Sequence, residues 1–96
     1  MKATDPRSAR CLQDIPNIGP AIETDLLRLG IRLPSDLPGQ DAFKLYHRLC
    51  ELDGSRHDPC VIDVFLAAIH FMETGEARPW HAFSAARKRS RLQDGP

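Results

Sequence analysis

The chain has 96 residues, 42% of them apolar and 27% charged, with 13 basic and 13 acidic side chains that give a formal net charge of zero. That balance fits one small globular domain. It excludes a chain that binds polyanions through overall charge, so any nucleic-acid contact must come from local geometry or a local basic patch. No apolar run approaches the roughly 20 residues that span a bilayer, so no membrane partner is expected. Residues 1–15 carry charges and no apolar stretch, so no secretory signal is expected there. Three cysteines, an odd count, fit reduced thiols, and the expected location is the cytoplasm.

The punctuation is helical from the start. Asp5-Pro6 supplies an N-cap followed by proline at a first helical position, and Arg7 to about Gln13 reads as a short first helix. A turn over Ile15 to Gly19 follows. Pro20 again suits a first helical position, and Ala21 to Leu29 continues as a helix closed by Gly30. Ile22, Leu26, Leu27 and Leu29 mark its inner side, with Glu23, Thr24 and Arg28 facing out.

"LPSDLPG", residues 33–39, predicts a loop or a single turn. The next stretch, "DAFKLYHRLCELDG", predicts a helix capped by Asp41 and closed by Gly54. Phe43, Tyr46, Leu49, Cys50 and Leu52 hold helical spacing on its inner side. Asp58-Pro59 repeats the helix start, and Cys60 to Met72 is apolar nearly all round, broken only by Asp63 and His70. That pattern predicts a central, buried helix ending at Gly75, with His70 as a satisfied core histidine. "RPWHAF" is expected to fold back over the core, which makes Trp80 a packing residue. No period-2 strand pattern occurs. The expected fold is all-α, a bundle of about five helices over residues 1–81, followed by a flexible basic tail over 82–96.

Residues 15–19 pose the functional question. Two short helices joined by an apolar–Pro–x–apolar–Gly turn resemble a helix-hairpin-helix, matched here by Ile15, Asn17, Ile18, Gly19 and Ala21. Asn17 stands where many members of that motif have glycine, and asparagine tolerates positive φ better than most residues. Glu23 and Asp25 stand where DNA-binding members carry basic residues. The wider order of blocks resembles the bacterial pathogenicity-locus family: "IPNIGPAIETDLLRLGI", "DLPGQDAFKLYHRLCELDG", "HDPCVIDVFLAAIHF" and "PW". Members of that family are often labelled mitomycin-resistance or helix-hairpin-helix proteins. The resemblance covers about residues 12–81 and implies a link to DNA through the hairpin, in a setting of DNA damage tolerance.

Physically, the helix start after Gly19 leaves backbone N–H groups unpaired and carries partial positive charge. A glycine there lets a phosphate approach. The expected partner is therefore DNA, bound through its backbone without base reading and in a salt-sensitive way. The expected contact residues are Asn17, Ile18, Gly19, Pro20, Ala21 and Thr24, with Arg87, Lys88, Arg89 and Arg91 of the tail adding affinity. The alternative is a module that binds a protein partner or a second copy of itself, with a purely structural hairpin.

Other constellations carry less. His47, Cys50, His57 and Cys60 are zinc-ligand types, but H-x2-C-x6-H-x2-C is not a familiar zinc spacing. Cys50 and Cys60 also sit at apolar positions, where cysteine acts as a small hydrophobe or pairs under oxidation. His57, Asp58 and Cys60 supply catalytic residue types, yet Asp58 suits an N-cap, and a helix start would lower the Cys60 thiol pKa without any catalytic purpose. No enzyme activity, metal or cofactor is expected.

Overall fold

The computed structural model describes residues 4–85, 87 and 88. Among them every regular element is helical and no strand occurs. Three α-helices, α1 (Pro20–Arg28), α2 (Ala42–Asp53) and α3 (Cys60–Thr74), are joined and flanked by four 3₁₀ turns. Among the described residues, three full α-helices stand where about five helices were expected.

The first expected helix is the main correction. Residues 7–13 form no α-helix; the chain makes two separate 3₁₀ turns, Pro6–Ser8 and Leu12–Asp14. The reason lies in Asp14. Its carboxylate accepts from the backbone N–H groups of Arg10 at 2.9 Å and Cys11 at 3.2 Å. A side chain that satisfies these donors locally replaces the carbonyls a helix would use. The same device recurs at Pro34–Asp36, where Asp36 accepts from Arg32 at 3.1 Å and Leu33 at 3.0 Å.

The helix boundaries otherwise follow the sequence. Asp41 caps α2 by accepting from Phe43 and Lys44, and Asp58 accepts from Cys60 at the start of α3. Helix α1 closes with Gly30 at φ 88°; Ile31 N–H bonds the Leu26 carbonyl and Gly30 N–H bonds that of Leu27. That pair of bonds is the Schellman closure, which needs a left-handed residue at this point.

The core gathers Leu12, Ile15, Ile18, Leu26, Leu37 and Leu49 around Phe65 and Phe71 of α3. Two expected inner residues face outward instead: Leu27 is 48% exposed and Leu52 52%. Each lies a residue beside a side chain of the Arg28–Asp53 ion pair that joins the ends of α1 and α2. A fourth 3₁₀ turn, Trp80–Phe83, lies against α3. Phe83 meets His70 edge-on, with ring centroids 5.4 Å apart.

The stretch beyond residue 81, expected as a solvated tail, is packed at two of its residues. Arg87 is 8% exposed, its Nε donates to Asp63 Oδ1 at 2.7 Å, and Ser84 Oγ donates to Asp63 Oδ2 at 2.8 Å. Asp63 itself is fully buried. A buried carboxylate in an apolar helix needs such partners, and the C-terminal stretch supplies them. No helix among the described residues is long and apolar enough to cross a membrane.

Candidate nucleic-acid interface

The turn between Leu12–Asp14 and α1 is built from both ends. Ile15 and Ile18 are fully buried, and Ile18 N–H closes the turn on the Ile15 carbonyl at 3.2 Å. Proline at the second position and a positive-φ residue at the third are the features of a type II turn. Pro16 and Asn17 fill these places, and Asn17 has φ 77°. It is the one non-glycine residue with positive φ among those described.

Asn17 has a second task that its sequence position does not reveal. Its side-chain amide donates to the Arg78 carbonyl at 2.7 Å and accepts from Trp80 N–H at 3.3 Å. Glycine would supply the φ but not these bonds. The turn is thereby fastened to the C-terminal stretch, 61 and 63 residues further along. Asn17 is spent on this clamp and Ile18 on the core, so neither side chain is free for a ligand.

Gly19 is extended rather than left-handed, at φ −100° and ψ −175°. A Cβ added to it would meet nothing within 4 Å. What the position offers is open space beside a helix start. No side chain caps α1, Pro20 stands at its first position, and Ala21 and Thr24 are exposed. The first helical hydrogen bond is Glu23 N–H to the Gly19 carbonyl, which leaves the Ala21 and Ile22 N–H groups without intrahelical acceptors. Thr24 Oγ1 turns back to the Pro20 carbonyl at 3.0 Å. Glu23 is the one acidic residue of the first turn; Gln13 Nε2 donates to its carboxylate at 2.9 Å.

The basic residues divide. Lys88 is exposed, whereas Arg87 is buried against Asp63 and is not a free cation. Arg89 and Arg91 lie outside the described residues.

The remaining candidates disperse. His57 Nε2 pairs with Asp53, whose other oxygen holds Arg28, while Tyr46 Oη donates to the His57 carbonyl. His57 N–H donates to Cys50 Sγ at 3.3 Å. Among the described residues, no three His, Cys, Asp or Glu side chains converge as metal ligands. The Cys60 thiol is pushed up, not down, because it bonds the Asp58 carboxylate and is partly desolvated. Asp58 is lowered in turn by the Cys60 backbone N–H. His70, expected in the core, is part-exposed and pairs with Glu76 at 2.7 Å. Trp80, expected as packing, is 36% exposed.

Comparison with known proteins accords with the order of sequence blocks. A family model described as pathogenicity locus (Cdd1) matches residues 5–89. The chain is 32% identical over 84 residues to the mitomycin resistance protein McrB of Streptomyces lavendulae, covering 88% of this chain and 80% of that protein. No solved structure matches it. With most of its length under the family model, the chain belongs to the pathogenicity locus family.

Proposed function

We propose that this protein is a non-enzymatic, cytoplasmic module that docks DNA backbone phosphates on the 15–21 turn and the start of α1, without reading sequence. On this reading the turn acts as a helix-hairpin-helix whose first limb is the 3₁₀ turn Leu12–Asp14 rather than a full helix. One observation carries the proposal: the uncapped start of α1 opens into free space at Gly19. Backbone N–H groups at a helix start, with partial positive charge, suit a phosphate oxygen. The fastening of Asn17 to Arg78 and Trp80 keeps the turn rigid, so little order is lost on docking. Gln13 holds the Glu23 carboxylate by one hydrogen bond, and its negative charge remains beside the site. The mitomycin-resistance name of the relative supports placing this role in DNA damage tolerance.

A second reading has its own support. Leu27, Leu33, Leu52 and Trp80 are exposed, and large exposed apolar side chains suit a protein interface or self-association.

Thr24→Lys separates the two. The position is exposed on the first turns of α1, so the substitution leaves the core untouched. Gel shifts on mixed-sequence duplex across a salt series should show tighter binding and a slope steeper by about 0.9, one added phosphate contact. Unchanged affinity and slope would favour the interface reading.

A further inference from the structure

We propose that Asp63, Ser84 and Arg87 form an autoinhibitory latch, in which a buried carboxylate competes with nucleic-acid phosphate for Arg87. This rests on the nucleic-acid-binding part of the reading above, not on where the duplex docks. Asp63 is fully buried on α3, and both of its side-chain partners, Ser84 and Arg87, come from the C-terminal stretch. Among the described residues no buried side-chain polar atom lacks a partner, so the latch is satisfied when closed. It is not a weld. The attraction in a buried ion pair is largely cancelled by the desolvation of both charges, so the pair itself adds little net force holding the stretch closed. Opening hydrates Asp63 and Arg87 together, which avoids the costly state of one buried unpaired charge.

The surroundings favour release from this end. Ala85, two residues before Arg87, and Lys88, directly after it, are exposed. The sequence continues with Arg89 and Arg91. Closed, the latch withdraws the first cation of this basic run into the domain. Open, Arg87 becomes a second exposed cation beside Lys88. A guanidinium bonds phosphate and carboxylate oxygens in the same geometry, so a polyanion is the natural competitor for Asp63.

Asp63→Asn keeps the size of the side chain and removes the charge that holds Arg87. Trypsin cleavage after Arg87, followed by mass spectrometry, reads the latch directly, because a buried arginine must leave the domain to be cut. Cleavage after Lys44 and Arg48 in α2 reports general loosening. The full-length Asp63→Asn chain should be cut after Arg87 about tenfold faster than wild type, with cleavage in α2 unchanged. Ser84→Ala, which removes one hydrogen bond, should give a smaller acceleration. On mixed-sequence duplex the Asp63→Asn salt slope should steepen by about 0.9. Equal acceleration at Arg87 and in α2, no acceleration at either, or an unchanged slope in a binding-competent protein overturns the latch while leaving the docking reading standing. Binding by Asp63→Asn alone supports the latch and overturns docking on the turn. Binding by neither protein overturns both.

Discussion

Asn17 carries two requirements in one side chain: a left-handed backbone and two long-range hydrogen bonds. The two are separable. Asn17→Gly keeps the turn and loses the amide bonds, a net cost of about 1–2 kcal/mol. Asn17→Ala loses the same bonds and adds a Cβ at positive φ, a further ~1–2 kcal/mol. Chemical denaturation of the two variants should rank wild type, glycine, then alanine; equal stability of glycine and alanine would contradict the turn geometry. The positive φ was legible, because Pro-Asn between two isoleucines is turn chemistry. The clamp was not, because its partners are backbone groups of Arg78 and Trp80, and a backbone group leaves no mark on the sequence. Arg87 misled for a related reason. Within "ARKRSR" it looks like any solvated cation, and only the fold reveals that Asp63, 24 residues earlier, lies in reach.

At the scale of elements, caps were the most legible signal and amphipathic sides the least. Asp5 and Asp41 cap their elements as their positions foretold, whereas Asp58, which accepts from the Cys60 N–H, lies one residue before Pro59, the N-cap of α3. The segment 7–13 failed as a helix because Asp14 recruits the N–H groups of Arg10 and Cys11. A serine, threonine or aspartate that bonds locally competes with a helix in a way that apolar spacing does not record. Leu27 and Leu52 fit their helical spacing yet face outward, next in sequence to the Arg28–Asp53 pair that joins the ends of α1 and α2. That junction makes stability depend on acid. Arg28, and then His57, hold the Asp53 carboxyl below the usual aspartate range. The folded carboxylate therefore binds protons more weakly than the unfolded one. Its stabilising effect is full above the ordinary aspartate pKa and is lost as pH falls through the depressed value. Melting temperatures recorded from about pH 5 to pH 2 should drop less steeply for Asp53→Asn than for wild type. Parallel curves would show that the Arg28–Asp53–His57 junction adds nothing. Part of the slope persists in the variant, because Asp14, Asp58 and Glu76 are also held low, by backbone N–H groups, the Cys60 N–H and His70 respectively.

For the whole molecule, one helix organises the rest. Helix α3 supplies Phe65 and Phe71 to the core, Asp63 to the C-terminal stretch and His70 to Glu76 and Phe83. Its apolar circumference made that central place readable from sequence. The C-terminal stretch then links α3 to the turn, through Asp63 at one end and Asn17 at the other. The turn thus belongs to a closed circuit of contacts, which explains how so short a first limb presents a fixed helix start. Gly19 is where structure and proposed role part most cleanly. Its backbone is extended and a Cβ meets nothing within 4 Å, so alanine fits without strain. Any stability cost at this N-cap position should stay within about 1 kcal/mol. The decisive measurement is therefore duplex affinity at low salt for Gly19→Ala beside wild type, with melting curves of both. Phosphate docking at the open helix start predicts near-equal melting and an affinity lowered about tenfold, ~1.4 kcal/mol. Equal, salt-dependent affinity in both proteins, or no salt-dependent affinity in wild type, would contradict docking at the turn.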